Sequence, residues 1–123
     1  MYVRFVVHQR FDRSIRDAGV FVAAGDLLEN GEISADERER VEELLEWFRL
    51  HLPVPHASQR DERAIYWYKP SAAHHIGKTW DLARILTDHG YDVEKVTTAF
   101  AGLAVYQDDF QVGAIPHVDR HLR

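Results

Sequence analysis

The sequence predicts an α+β domain in which three helices lie on one face of a mainly antiparallel sheet of four to five strands. Two observations predict this class: short runs rich in β-branched and aromatic residues alternate with longer amphipathic stretches, and the elements follow the order β-α-α-β-α-β-β-β. The chain has 123 residues, of which 46% are hydrophobic and 28% are charged. Because this size suffices for one hydrophobic core, we assign residues 1–116 to a single domain and residues 117–123 to a C-terminal tail.

The first two elements are a strand and a helix. Residues 2–8, YVRFVVH, place Val3, Phe5 and Val7 at every second position, which is typical of a strand with one buried face. The next segment, SIRDAGVFVAAGDLLENGE, predicts a helix that is capped by Ser14 and stops at Asn30 and Gly31.

Two glycines, Gly19 and Gly25, lie inside this predicted first helix. Each weakens a helix by about 1 kcal/mol relative to alanine. We therefore expect both glycines to mark close packing against a neighbouring element.

The second helix is the most clearly defined, because Ser34 and Glu37 match a capping box. Its apolar residues recur at helical spacing: Val41, Leu44, Leu45, Phe48 and Leu52. The segment PVPHASQRDER then predicts an extended loop, and AIYWY predicts a short central strand.

The third helix is predicted to begin at Ser71, after Pro70, and to stop at Gly90. On a helical wheel, its apolar face comprises Ala72, Ile76, Trp80, Ala83 and Leu86, with His75 at the flank.

The last part of the domain, DVEKVTTAFAGLAVYQDDFQVGAIP, contains three strand-like runs separated by AG and QDD. This pattern predicts a β-meander with tight turns. Asp108 and Asp109 fall in the second separator, and we interpret them as turn residues in preference to a pair of catalytic carboxylates.

Two adjacent histidines, His74 and His75, stand at the start of the third helix. Neighbouring residues on a helix do not face each other, so these two cannot chelate one metal ion together. We interpret His75 as a half-buried residue that is hydrogen-bonded to a backbone or hydroxyl group. The alternative is an anion site at the helix N-terminus, formed by Lys69, Ser71, His74 and Lys78.

The C-terminal tail spaces His117, Asp119 and His121 by two residues. In an extended chain the three side chains project the same way and form a weak candidate metal site, but a frayed polar tail is the favoured interpretation. No P-loop, dinucleotide fingerprint, nucleophile elbow or HExxH motif occurs. The sequence therefore predicts no metal and no cofactor, and it offers no positive evidence for an enzyme.

Composition and charge argue against several further functions and locations. The chain has no cysteine, which excludes disulfides and thiolate chemistry and fits a reducing compartment. It also has no apolar run of membrane-spanning length and no signal-peptide pattern, so we expect a cytoplasmic protein outside the membrane. The formal net charge of −5 argues against nucleic-acid binding. The N-terminal arginines, Arg4, Arg10, Arg13 and Arg16, keep that function open as an alternative.

Five segments carry a resemblance that covers nearly the whole chain up to Pro116: YVRFVV, LLEWFRLHLPVP, IYWYK, WDLARILTDHGYDVEKV and GLAVYQDDFQVGAIP. In order and length they resemble a group of short, single-domain bacterial proteins of uncharacterised function. Tyr106, Asp108, Gln111 and Pro116 match the hairpin pattern of that group. The resemblance implies a bacterial cytosolic protein and no particular activity, and we take Tyr106, Asp108 and Gln111 as candidate interaction residues.

Our leading hypothesis is a non-enzymatic interaction or regulatory module that self-associates. A small antiparallel sheet leaves edge strands that must be covered or paired, and a homodimer satisfies this need. The second helix has an acidic face that a further protein partner could contact, although a solvated face is the simpler interpretation. This face comprises Glu37, Glu39, Glu42, Glu43 and Glu46. The alternatives are a small ligand- or metal-dependent enzyme or sensor that uses a histidine cluster (His8, His74, His75, His117 and His121), and nucleic-acid binding through the N-terminal arginines.

Overall fold

The computed structural model describes residues 1–8 and 18–116. The strands are β1 (Tyr2–His8), β2 (Ala18–Gly19), β3 (Ile65–Tyr68), β4 (Asp92–Thr98), β5 (Leu103–Gln107) and β6 (Gln111–Ile115), and the helices are α1 (Val20–Asn30), α2 (Ala35–His51) and α3 (Ala73–Asp88). Apart from the two-residue strand β2, this is the predicted α+β class with the predicted order of elements. Within the described residues, no helix is both long and apolar enough to cross a membrane.

The sheet is antiparallel at every described pairing, and its strand order is β4-β1-β3-β6-β5. Strand β1 pairs along its full length with β4 on one side. On its other side it pairs with β3 at Val3, opposite Tyr68, and with β2 at Val6 and Val7. Two strands, β2 and β3, therefore pair with the same edge of β1, and β3 separates from β1 beyond Val3.

The predicted β-meander is wrong for β4. Strand β4 lies at the edge beside β1, whereas β5 lies at the opposite edge and pairs with β6. Gly102, in the AG separator, has a positive φ of 121°, and a Cβ there would lie 2.1 Å from the carbonyl oxygen of Ile115. This glycine therefore permits a close approach at the start of the β5–β6 hairpin, and it does not form a tight turn between β4 and β5.

Helix α1 begins at Val20, later than predicted, because Gly19 is extended and pairs with Val6 as part of β2. The predicted cap, Ser14, lies outside the described residues. The close packing predicted at Gly19 and Gly25 is wrong, since a Cβ added at either position meets no atom of the described residues within 4 Å. The helix is fixed instead by its buried residues: Val20, Ala23, Ala24 and Leu27.

The predicted start of α2 is confirmed. The Ser34 hydroxyl accepts a hydrogen bond from the backbone N–H of Glu37 at 3.1 Å, and the Glu37 carboxylate accepts one from the backbone N–H of Ser34 at 3.3 Å. This capping box satisfies two backbone donors at the helix end.

Helix α3 begins at Ala73, two residues after the predicted Ser71. Its buried face is rotated from the prediction toward His75 and Thr79, while Trp80 is 39% exposed and packs edge-on against Phe5. The fully buried core lies between the three helices and the helix-facing side of the sheet: Val7, Leu27, Val41, Leu44, Thr79, Leu82 and Leu86.

Candidate functional site

The predicted anion-binding residues lie around the start of α3: Lys69, Ser71, His74 and Lys78. The N-cap position falls on Ala72, which has no side-chain oxygen, and Ser71 is exposed in the preceding turn. The ammonium of Lys78 lies 5.4 Å from the ring centroid of Trp47, which is the geometry of a cation–π contact. An anion site at these residues stays a prediction.

His75 is buried in an aromatic cluster. Its Nε2 is hydrogen-bonded to the backbone carbonyl of His51 at 2.9 Å, as the sequence predicted for a backbone partner. The imidazole is more buried than expected, with 4% of the residue exposed, and its ring centroid lies 4.3 Å from that of Phe110 and 4.9 Å from that of Trp47. This contact set joins α3 to α2 and to the β5–β6 hairpin.

Two other described histidines, His8 and His89, each contact a carboxylate, and these two pairs lie at separate places. His8 Nε2 lies 2.8 Å from Glu94 across β1 and β4, and His89 Nε2 lies 3.1 Å from Glu37, where α3 ends beside the start of α2. The contact with His89 holds the pKa of the Glu37 carboxyl below its usual range. Across residues 1–8 and 18–116, no group of three or more His, Cys, Asp or Glu side chains could hold a metal ion.

The weak metal candidates of the tail, His117, Asp119 and His121, lie outside the described residues. The same is true of Arg10, Arg13 and Arg16 in the N-terminal basic segment.

The predicted turn at Asp108 is confirmed, and it is held by the Asp108 carboxylate. One oxygen accepts hydrogen bonds from the backbone N–H groups of Phe110 at 2.8 Å and Gln111 at 3.0 Å. The other oxygen accepts from the hydroxyl of Tyr106 at 2.7 Å and from Nε2 of Gln111 at 3.0 Å. Burial alone raises the pKa of Asp108, but these hydrogen bonds outweigh it and leave the pKa lowered.

The same network ties the hairpin to the rest of the domain. Gln111 is 6% exposed, and its Nε2 also donates to the backbone carbonyl of Pro53 at 2.8 Å. The Tyr106 hydroxyl is held by Asp108, which raises the pKa of Tyr106 to about 12. Tyr106, Asp108 and Gln111 thus shape the hairpin that presents β5, and their part in binding a partner stays a prediction.

The two edges of the described sheet differ in chemistry. Strand β4 exposes Asp92, Glu94 and Lys95 along its length. Strand β5, LAVYQ, has no charged residue and no proline, and Leu103 is 63% exposed and Val105 is 36% exposed. Charges on an edge strand discourage pairing with another chain, whereas an uncharged apolar edge permits it. Strand β5 is therefore the edge that is open to pairing.

A cleft of about 190 Å³ lies where β1 and β3 diverge. On the edge of β1 that pairs with β2 and β3, Val3 pairs with β3 and Val6 pairs with β2. Arg4 and Phe5 lie between these two pairings. The start of α1 closes the end at β2, because Gly19, Val20 and Phe21 line the cleft.

The two faces of this cleft are closed by different groups. On the helix-facing side, the hydroxyls of Tyr68 and Thr79 are hydrogen-bonded at 2.9 Å, and burial raises the pKa of Tyr68 to about 12. On the opposite side lies Trp67, over whose ring the Arg4 guanidinium stacks at 5.4 Å from the centroid. Neither the fork between the strands nor the placement of Trp67 was predicted from the sequence, because only strand pairing creates them.

Comparison of the chain with protein-family models, with curated proteins and with solved structures gives no match. The resemblance to a group of short bacterial proteins therefore stays a prediction.

Proposed function

We propose that this protein is a non-enzymatic interaction module that forms a homodimer by pairing the outer edge of β5 with the same edge of a second copy. The uncharged, apolar β5 edge is the observation that carries the proposal. The protein is further proposed to act in the cytoplasm, which its lack of cysteine supports.

A two-fold axis through the middle of β5 supplies the pairing geometry. Antiparallel pairing about Val105, the third of the five residues of β5, sets this residue opposite its own copy and Leu103 opposite Gln107 of the second chain. Directly opposed side chains have Cβ atoms about 5 Å apart. The exposed apolar side chains of β5 are then withdrawn from water, which is the main favourable term in such an association.

The β5–β6 hairpin sets the shape of this edge and limits the length of the pairing. The Asp108 network fixes the turn, and the register shift between Ala104 and Tyr106 marks a bulge around Val105 in the ladder with β6. Because a bulge increases the local twist of a strand, we expect a short ladder between the two copies and not an extended fibre.

Paired charge variants at Val105 test the proposal. Light scattering coupled to gel filtration should give the wild-type chain twice its 14.3 kDa mass. Val105→Lys and Val105→Glu should each run as monomers, because the two-fold axis sets like charges opposite one another. An equimolar mixture of the two variants should recover the dimer, since the opposed charges then attract.

The matched control is Val22→Lys, which places the same charge on the exposed side of α1, where Val22 is 64% exposed. This variant should keep the wild-type mass. A wild-type chain that is monomeric at several hundred micromolar would overturn the dimer. A dimer that survives both Val105 substitutions would show that another surface mediates it.

A further inference from the structure

The last turn of α1 ends in an asparagine–glycine pair. Asn30 is the final residue of the helix and the only asparagine in the chain, and Gly31 is the C-cap. Asn30 is exposed and Gly31 is half-buried. Asparagine followed by glycine is the pair most prone to deamidation, because glycine has no side chain to hinder the approach of its backbone nitrogen to the asparagine side chain.

The reaction at such a pair needs only water. The backbone nitrogen of Gly31 loses its proton and bonds to Cγ of Asn30, while the bond from Cγ to Nδ2 breaks and ammonia leaves with a proton. The resulting cyclic imide adds water at one of its two carbonyl carbons and opens to aspartate or isoaspartate. No oxidant or reductant takes part.

The fold requires the glycine of this pair. A Cβ added at Gly31 would lie 2.5 Å from Cδ1 of Leu27 and 2.7 Å from the carbonyl oxygen of Leu27. Leu27 is 1% exposed and belongs to the hydrophobic core, where close packing leaves it little room to move. A side chain at position 31 would therefore disturb the packing of α1, so the fold retains the residue that makes Asn30 reactive.

Two hydrogen bonds hold the reacting groups in place in the folded chain. The backbone N–H of Gly31 donates to the carbonyl oxygen of Leu27 at 2.9 Å. Nδ2 of Asn30 donates to the carboxylate of Asp26 at 2.9 Å. Asn30 also has a helical backbone, and closure of the imide ring requires it to leave that conformation. Deamidation therefore depends on opening of the last turn of α1.

The charges near this turn favour its opening. Asp26 and Glu29 lie close to the C-terminal end of α1, and the last turn contains no basic residue. The C-terminal end of a helix carries partial negative charge, so acidic side chains are unfavourable there. Helix ends also open at a much lower free-energy cost than the folded core. The last turn should therefore open far more often than the whole chain unfolds.

We propose that Asn30 is a modification site, at which opening of the last turn of α1 starts spontaneous deamidation to aspartate and isoaspartate. The product favours the open turn, because a carboxylate at residue 30 no longer donates to Asp26 and repels it across one helical turn. The hydroxyl of Tyr91 donates to the same Asp26 carboxylate, so the change extends to the segment between α3 and β4. The site lies on α1 and does not depend on the proposed β5 interface.

The experiment uses the full chain in a mildly alkaline buffer and follows residue 30 by mass spectrometry of tryptic peptides. The reference is the free peptide LLENGEIS, which contains the same pair without the fold. Aspartate and isoaspartate should accumulate in the full chain roughly tenfold more slowly than in the peptide, since only the open turn reacts. An absence of product in the full chain after complete conversion of the peptide would overturn the site. Equal rates would overturn the control by the last turn.

Two variants test the hydrogen bond that holds the Asn30 side chain. Asp26→Ala removes the acceptor and should accelerate deamidation severalfold, toward the rate in the free peptide. Tyr91→Phe is the matched control, because it removes the other side-chain donor to Asp26 and leaves the bond from Asn30. Its rate should stay close to that of the wild type. Equal acceleration in the two variants would contradict a specific role of the Asn30–Asp26 bond.

Urea denaturation measures the effect of the product without the reaction. Asn30→Asp and Asn30→Ser both remove the amide donor and have similar helix propensities, but only the aspartate adds a negative charge beside Asp26. Asn30→Asp should therefore unfold at a lower urea concentration than Asn30→Ser. Equal midpoints would contradict the proposed destabilisation of the turn by its own product.

Discussion

Asp108→Ala is expected to destabilise the β5–β6 hairpin strongly. The carboxylate accepts four hydrogen bonds, two from backbone N–H groups and two from side chains. A hydrogen bond to a charged group contributes about 1.5–3 kcal/mol when its partners are shielded from water. Because Asp108 is only partly buried, water replaces some of these bonds, and we expect a loss of about 2–4 kcal/mol in the free energy of unfolding.

Urea denaturation at pH 7 measures this loss, and thermal unfolding should show a decrease in Tm of roughly 10 °C. The neighbouring substitution Asp109→Ala is the matched control, because Asp109 is exposed in the same turn, and it should change the stability by less than about 0.5 kcal/mol. Equal effects of the two substitutions would refute the role of the Asp108 network.

The pH dependence gives an independent check. The folded chain lowers the pKa of Asp108 from its ordinary value of 3.8. A carboxyl with a lowered pKa stabilises the folded state above its unfolded pKa, and this contribution is lost as the pH falls through the folded pKa. The difference in stability between wild type and Asp108→Ala should therefore be constant near neutral pH and shrink below about pH 4. A difference that stays constant down to pH 2 would contradict an ionised Asp108 in the fold.

Three further substitutions test the packing by urea denaturation. Gly102→Ala should destabilise the protein by at least about 2 kcal/mol, because the new Cβ would lie 2.1 Å from the Ile115 carbonyl oxygen at a φ of 121°; an unchanged midpoint would contradict this close approach. Gly25→Ala should stabilise the protein by about 0.5–1 kcal/mol, since its Cβ enters open space in a helix; a loss of stability would show a hidden contact. Leu82→Ala should remove about 2–5 kcal/mol from a fully buried site, and a loss below about 1 kcal/mol would argue against the position of α3.

The sequence correctly predicted the elements that are determined by interactions between residues close together in the chain. The alternation of Val3, Phe5 and Val7 gives the bounds of β1, and the capping box at Ser34 gives the start of α2. The turn at Asp108 likewise follows from a side chain that bonds its own nearby backbone. In each case the interacting groups lie within a few residues of one another.

The features that the sequence did not predict depend on contacts between distant segments. Strand β4 was assigned to the wrong neighbour, because its alternation fits a partner on either side and nothing local favours β1 over β5. Gly19 was placed inside a helix, since its pairing with Val6 is visible only in the folded chain. The rotation of α3 likewise depends on contacts between distant segments. Thr79 is buried under the elements packed over it, and its hydroxyl is hydrogen-bonded to that of Tyr68 on β3.

The position of β4 has consequences for the proposed dimer. A meander would have placed β5 between β4 and β6 and left no uncharged edge. Because β4 pairs with β1 instead, the charged strand protects one side of the sheet and β5 occupies the other. The fork between β1 and β3 arises on the opposite edge of β1 from β4.

The dimer can therefore be abolished without disturbing the fold. Val105 is partly exposed on the edge strand β5, so Val105→Lys should abolish the dimer and leave the stability of the folded chain unchanged within about 0.5 kcal/mol. A Val105→Lys variant that is monomeric but clearly less stable in urea would mean that Val105 supports the hairpin itself, and the loss of the dimer would then not locate the interface.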